Sequence, residues 1–437
     1  MDRAVGAERA MKVVIAPDSF KEAMTAVEAA AAMARGVLAV VPDAEVVDVP
    51  MSDGGEGFTE AVAATLGARV RAVGTVDALG RPVTGRLAIG DGTAVLEMAS
   101  AAGLELVPEG ERDVLGSDTR GVGRMIRAAL DAGIGRLLLG IGGSATNDGG
   151  AGMLAELGVR FLDRTGRVIG TTPRELTALA SVDASGLDPR LEGLTIDVAC
   201  DVDNPLSGDR GASAVFGPQK GAGPQDIDRL DSVLSHWADL SGHAELAGEP
   251  GAGAAGGLGF ALMSFLGARL EPGIDLVART VGLAEAVDGA DLVITGEGSV
   301  DAQTPAGKVP AGVTRIAAAH GAPTVVVAGR VRPGAEALLA SGCVAIMSTS
   351  SGEVVPLAEV LRAAPQSAER ATATVMRLWT HRSGPAGSAG STGSAAVFRP
   401  ARAARVDSVW IPEITPKMPN MNPQKTRNSL FCATVSV

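Results

Sequence analysis

Short apolar runs that each stop at a glycine- and aspartate-rich turn, often with a helical segment behind, recur along the 437-residue chain. KVVIAP runs into DSFK, AEVVDVP into MSDGGEG, RLLLGI into GGSATNDGG, LTIDVAC into DVDNPL, and ADLVIT into GEGSVD. Buried strands alternating with helices build parallel sheets, because a parallel connection needs a crossover long enough to hold a helix. The pattern predicts strands at residues 12–17 and 44–50 with a helix at 26–40 between them. It changes between about residues 74 and 288, where hairpin-like pieces such as GRLAIGDGTAVLEM, with a turn at Asp91 and Gly92, mix with glycine-rich loops and helices. Alternation returns with strands at 290–298, 323–329 and 343–348, a helix near 309–319 and a closing helical segment at 357–379. The expected fold is therefore α/β. Residues 11–75 and 288–379 form one discontinuous, doubly wound parallel-sheet domain, residues 76–287 a second α/β domain inserted into it, and a cleft lies between them. Residues 1–10 and 380–437 read as disordered extensions, the second because GPAGSAGSTGSAA leads into a proline-rich stretch without periodicity.

Bulk properties remove several function classes. A net charge of −12 disfavours a nucleic-acid partner, and the charge is unevenly spread, the tail being net basic with seven Lys and Arg against two acidic residues from His381 onward. No run of about 18 apolar residues free of charge and glycine occurs, so a membrane span is not expected. MDRAVGAERA lacks the apolar segment of a secretory signal. Cys200, Cys343 and Cys432 are too few and too far apart for a disulfide framework or a metal site, which fits a reducing cytoplasm. Oligomeric state is left open, a homodimer being one alternative.

The turns carry the chemistry. Glycine lets backbone N–H groups approach an anion closely, and a following helix presents its positive end. One such dipole contact contributes only about 0.3–1 kcal/mol, so holding a polyphosphate requires several loops to converge. GIGGSATNDGG, residues 140–150, is shaped for a phosphate or a carboxylate. Acidic side chains do the opposite work. Asp18, Asp53, Glu56, Asp148, Asp201, Asp203, Glu297 and Asp301 repel an anion unless a divalent cation lies between, and oxygen ligands beside a phosphate favour Mg²⁺. Any one of these turns is also ordinary turn or cap chemistry; five at the ends of alternating strands argue for a shared role. Lys21, directly behind Asp18 and Ser19, is a better anion clamp than Lys308, and Arg330 after VVVAG suits a substrate carboxylate or a cap. The four histidines show no ligand spacing.

In this order, VVIAPDSFKEAMTA, PMSDGGEGF, GIGGSATNDGG, ACDVDNPLSG, FGPQKGA and DLVITGEGSVDAQTPAGK closely resemble the motifs of bacterial glycerate kinases of the type-1 family, from residue 11 to about 379. The resemblance implies a Rossmann-like character for the discontinuous domain. It also implies Mg²⁺-dependent transfer of the γ-phosphoryl group of ATP to D-glycerate, giving 2-phosphoglycerate that feeds lower glycolysis from glyoxylate or sugar-acid breakdown. On that reading Lys21, Asp53, Asp203 and Asp301 are catalytic candidates. Ser19, Gly142, Gly143, Ser144, Thr146, Asn147, Lys220 and Gly296 would bind ATP phosphates. Arg330 or Arg120 would take the glycerate carboxylate, and Asp203, Glu297 and Asp301 the metal. The ten-residue N-terminal extension and the basic tail have no counterpart in the family, and Arg124 stands where the family tends to have Glu.

Two other readings compete. GIGGSA formally matches G-x-G-x-x-A after a strand, with Asp163 about twenty residues on, as in NAD(P)-dependent oxidoreductases of small hydroxy acids. That pattern leaves the aspartate-rich turns unexplained. A non-catalytic sugar-acid sensor acting through the tail would need fewer acids than the chain carries.

Overall fold

The computed structural model describes residues 9–350 and 356–382. Two compact units divide the chain, Met1–Gly384 and Pro385–Val437, and all described residues lie in the first. Two sheets organise this unit. The first is entirely parallel, with strands in the order Glu45–Asp48, Lys12–Pro17, Leu292–Gly296, Thr324–Ala328, Cys343–Ser348. By chain order that is second, first, third, fourth, fifth, the doubly wound arrangement expected for strands joined by helical crossovers. Its two central strands are apolar without alternation because both faces are covered: Val13, Val14, Ile15, Ala16, Leu292, Val293 and Ile294 are fully buried.

Helix Ala26–Leu38 starts where Thr25 accepts from the Glu28 amide and Glu28 accepts from the Thr25 amide. Its alanine-rich face (Ala29, Met33, Val37) packs on Ala368, Ala371 and Met376 of helix Ala364–Arg382. The closing helical segment is thus two helices, Leu357–Arg362 and Ala364–Arg382, broken at Ala363.

The second sheet is mixed. Arg269–Glu271, Thr195–Ala199, Arg136–Gly140 and Thr93–Glu97 run parallel, and Pro82–Gly90 and Arg69–Val76 complete it antiparallel. The hairpin at Asp91 and Gly92 has positive φ at both turn residues, 47° and 71°, with Gly90 opposite Thr93. A two-residue turn between right-twisted strands requires those angles. The edge strand Arg69–Val76 pairs along its whole length with Pro82–Gly90. This sheet therefore begins seven residues earlier than the sequence pattern places the inserted domain, because an exposed edge strand carries no apolar run.

One apolar core crosses from sheet to sheet. Val14, Ala16 and Val293 of the first share it with Ala88, Val95 and Leu138 of the second, through the helices Phe58–Leu66, Gly273–Thr280 and Val309–Ala319. Burying a Val, Leu, Ile or Phe side chain fully contributes about 1.5–3 kcal/mol, so this shared layer fixes how the two sheets meet.

At the N-terminus the ordered body starts before residue 11, since the Arg9 guanidinium reaches both carboxylate oxygens of Asp291, at 2.8 and 2.9 Å. At the other end Thr380, His381 and Arg382 complete the last helix and are not part of an extension. The remainder of the tail lies outside the described residues. Among the described residues no helix is long and apolar enough to cross a membrane.

Candidate active site

The strand order reverses direction between Lys12–Pro17 and Leu292–Gly296, and in open α/β sheets such a switch point leaves a crevice at the carboxyl ends of the strands. Here Asp18 N donates to the Gly296 carbonyl at 2.8 Å, holding the two exits together. The carboxyl ends of Thr93–Glu97 and Arg136–Gly140 approach from the second sheet, and a cleft of about 650 Å³ opens between the two sets of loops. One wall is the turn that carries Ser19 and Lys21, closed by a Phe20 N to Met24 O bond of 2.9 Å and held with Glu22 at φ 63°, a left-handed angle for a non-glycine residue. The other wall carries Gly55, Glu56, Arg86, Glu97, Glu105 and Gly143.

Carboxylates crowd around the switch point. Burial raises Asp18 well above the ordinary carboxylate range, and the charges of Asp53 and Glu297 push it further against hydrogen bonds from Ser19. Glu297 is 8% exposed and is raised by that burial, opposed by Lys308, whose Nζ lies 3.8 Å away, and by the Thr304 hydroxyl at 2.9 Å. Asp201 is lifted to about 6, by burial first and then by Asp53 and Asp275, although it accepts from the Gly273 amide at 2.8 Å. On the cleft wall Glu56 is also raised, by burial and by Glu105 beside it. Each of these shifts records an acid held where anionic charge is unwelcome.

The other predicted residues divide into near and far. Ser19, Lys21 and Gly143 line the cleft. Asp53 does not line the cleft; it lies beside the lining residue Gly55, its Oδ1 accepting from Gly55 N at 3.2 Å, and is near enough to Asp18 and Asp201 for its charge to act on both. Gly296 is a packing position in the sheet, where a Cβ would strike the Val327 carbonyl. Ser144, Thr146 and Asn147 turn their side chains into the second core, and Thr146 Oγ1 and Asn147 Oδ1 are buried there without a hydrogen-bond partner. Gly142 lies against Gly54 and Gly55. Lys220, 2% exposed, sits behind the loop with its ammonium 2.7 Å from both Ser144 Oγ and the Thr146 carbonyl.

Arg120 donates to Asp118 at 3.0 Å and to Thr171 at 3.2 Å, on the flank of the second sheet. Asp203 is an exposed carboxylate facing Arg210 at 3.3 Å. Asp301 caps its own turn, accepting from Gln303 N at 2.9 Å. Arg330 is exposed on the short strand Arg330–Val331 and does not line the cleft. Arg124, the departure noted in sequence, pairs with Glu156 at 3.0 Å. The dinucleotide-type pattern lacks its strand–turn–helix geometry, because the helix after Gly140 begins only at Ala151. Asp163 meanwhile caps a turn, accepting from Thr165 N at 2.8 Å.

Sequence reasoning picked out Glu56 and Gly143 of the second wall but missed Arg86, Glu97 and Glu105. Arg86 and Glu105 arise from an exposed strand position and from a short helical turn in which acids look like surface residues. The alternation of Thr84 and Arg86 on the cleft side of Pro82–Gly90 was the one available signal. Among the described residues no group of three or more His, Cys, Asp or Glu side chains converges tightly enough to hold a metal ion alone.

Comparison with known proteins matches this geometry to one family. The model of the glycerate kinase family fits residues 13–380. The glycerate kinase of Bacillus subtilis (strain 168) is 48% identical over 365 residues, covering 82% of this chain and 95% of the relative. The glycerate 2-kinase of Escherichia coli (strain K12) is 50% identical over 325 residues, or 73% of this chain and 85% of the relative. A crystal structure from Salmonella typhimurium LT2, named for glycerate kinase 2, superposes with a TM-score of 0.78 at 43% identity, covering 86% of this chain and all of that one. The chain belongs to the glycerate kinase family and is a phosphotransferase.

Proposed function

We propose that the protein transfers the γ-phosphoryl group of ATP to D-glycerate and releases 2-phosphoglycerate. One observation carries this reading: Ser19 and Lys21 at the switch point face Gly55 and Gly143 across a single cleft large enough for a nucleotide tail and a three-carbon acid. The name of the Escherichia coli relative, glycerate 2-kinase, supports the 2-position. Phosphoryl transfer rests mainly on positioning and charge neutralisation. Lys21 clamps the transferred phosphate as a mobile point charge, and the glycine backbones at 55 and 143 allow its oxygens to approach. Asp53, held next to Gly55 at the cleft's edge, takes the proton of the acceptor hydroxyl.

Mg²⁺ fits the donor chemistry, which is all carboxylate oxygen. Mg²⁺ binds through one or two carboxylates and completes its shell with phosphates and water, so a three-ligand protein cluster is not required. We assign it to Asp18 and Glu297, which burial first and then neighbouring carboxylates raise above the ordinary range. Asp203, paired with Arg210 at the surface, is a weaker candidate. When bound, the ion neutralises the phosphate oxygens as charge redistributes. The free thiols Cys200 and Cys343 support a cytoplasmic setting.

The test is an assay containing D-glycerate, ATP and Mg²⁺, with enolase added to consume 2-phosphoglycerate. Enolase-dependent product with matching ADP release is expected. ADP release without an enolase signal would move the phosphoryl group to another hydroxyl, and no ADP release would end the reading.

A further inference from the structure

The acceptor's carboxylate needs a cation, and neither arginine predicted from sequence lines the cleft. Six glutamates do: Glu22, Glu28, Glu56, Glu60, Glu97 and Glu105. Against them stand two cationic side chains, Lys21 on one wall and Arg86 on the other. An anion entering so acidic a space gains only where it meets one of these two. Lysine is a compact point charge, whereas the guanidinium of arginine is a planar fork that matches a carboxylate with two parallel N–H···O bonds.

We propose that Arg86 is the residue that selects a carboxylate-bearing acceptor, holding the glycerate carboxylate across the cleft from Lys21. Three features of its setting support the role. Arg86 projects from the strand Pro82–Gly90, and its backbone amide donates to Ser100 Oγ at 3.3 Å, so its base is fixed to the short helix Ala99–Ala102 on the same wall. Glu60, one helix away, accepts from Nη1. That contact occupies one side of the guanidinium and leaves the Nε–Nη2 edge, the pair of donors suited to bidentate binding, for a ligand. The side chain is half-exposed into the cleft, at 53%, so the edge is reachable without rearrangement. Glu97, largely buried on the same wall, accepts from the Thr59 amide at 3.1 Å and lies near enough to Arg86 for the two charges to interact. Together the glutamates orient the guanidinium. Lys21, following the strand exit where phosphates are expected, is left to the transferred group.

This assignment rests on the glycerate kinase reading above, and the experiment separates the two. Steady-state kinetics of the wild-type protein, Arg86→Met, Arg86→Lys and Arg330→Ala are measured with D-glycerate and with glycerol, which keeps the hydroxyls and lacks the carboxylate. Loss of a bidentate, charge-assisted pair predicts a rise of about 100-fold in KM for glycerate in Arg86→Met. KM for ATP should stay within about twofold, glycerol turnover should be unchanged, and Arg86→Lys should recover only part of the loss. A purely structural role would lower glycerate and glycerol turnover together and would overturn the proposal. So would an unchanged KM in Arg86→Met, or a comparable rise in Arg330→Ala in place of Arg86→Met. If the wild-type protein itself releases no ADP with D-glycerate, the parent reading fails and takes Arg86 with it.

Discussion

Lys220 places its ammonium 2.7 Å from Ser144 Oγ and 2.7 Å from the Thr146 carbonyl, beneath the loop whose Gly143 lines the cleft. It is fully enclosed, and burial brings it down from 10.5 to about 7, with Asp148 opposing. A side chain in that position braces the loop from behind, outside the lining of the cleft.

Between about pH 7 and 10.5 the unfolded chain keeps the Lys220 proton while the folded chain has lost it. Stability therefore rises with pH across this window, by up to about 1.4 kcal/mol per pH unit. Lys220→Met should flatten that rise. Urea unfolding of the two proteins at about pH 7, 8 and 9 checks it, and parallel stability curves would rule the effect out.

Asp148 accepts from Thr119 N and Oγ1, both at 2.8 Å, and from Gly152 N at 2.9 Å, while burial and then Asp118 raise it to about 6. It is the pin between the starts of two helices of the second sheet's layer. Asp148→Ala orphans those donors and should destabilise by about 3 kcal/mol, read as a shifted urea midpoint. A shift below about 1 kcal/mol would mean that water replaces the carboxylate.

Lys21 is exposed on the cleft wall and its side chain makes no hydrogen bond or ion pair among the described residues, so its removal should spare the fold. Lys21→Met is expected to lower kcat by about 10²–10³-fold through lost electrostatic stabilisation, with an unchanged melting temperature. A change confined to KM for ATP would instead make Lys21 a ground-state contact.

Gly273 abuts the Asp53 carbonyl so closely that a Cβ there would displace it. Gly273→Ala should cost about 1–3 kcal/mol by overpacking and reduce kcat by moving Asp53. Gly248→Ala, where nothing lies within 4 Å of the new carbon, is the control and should do neither.

The strands that build the first sheet were legible because both their faces are buried, which turns KVVIAP and LVITG into apolar runs bounded by turn residues. The Asp91-Gly92 hairpin was legible for a local reason, the positive φ that its turn demands. The helix at Val309–Ala319 was found at its bounds, whereas that at Ala26–Leu38 ends two residues before the pattern suggests. Local spacing says nothing about what a loop's side chains face. Ser144, Thr146 and Asn147 look like phosphate ligands in a string of letters, yet their side chains turn inward and Lys220 follows them. Arg120 is likewise engaged by Asp118, only two positions away. Arg86 stayed hidden because its role depends on a wall assembled from four separate stretches of chain.

Thr295 donates its hydroxyl to the carbonyl of Ala16 across the centre of the first sheet, although the two residues are 279 positions apart. At ribosomal speeds of about 5–20 residues per second, the first strand waits roughly 15–55 s for its central neighbour to be synthesised. Residues between them, the whole second sheet included, emerge meanwhile and can collapse first. The apolar KVVIAP segment is thus the stretch of nascent chain that a chaperone has most reason to cover during translation.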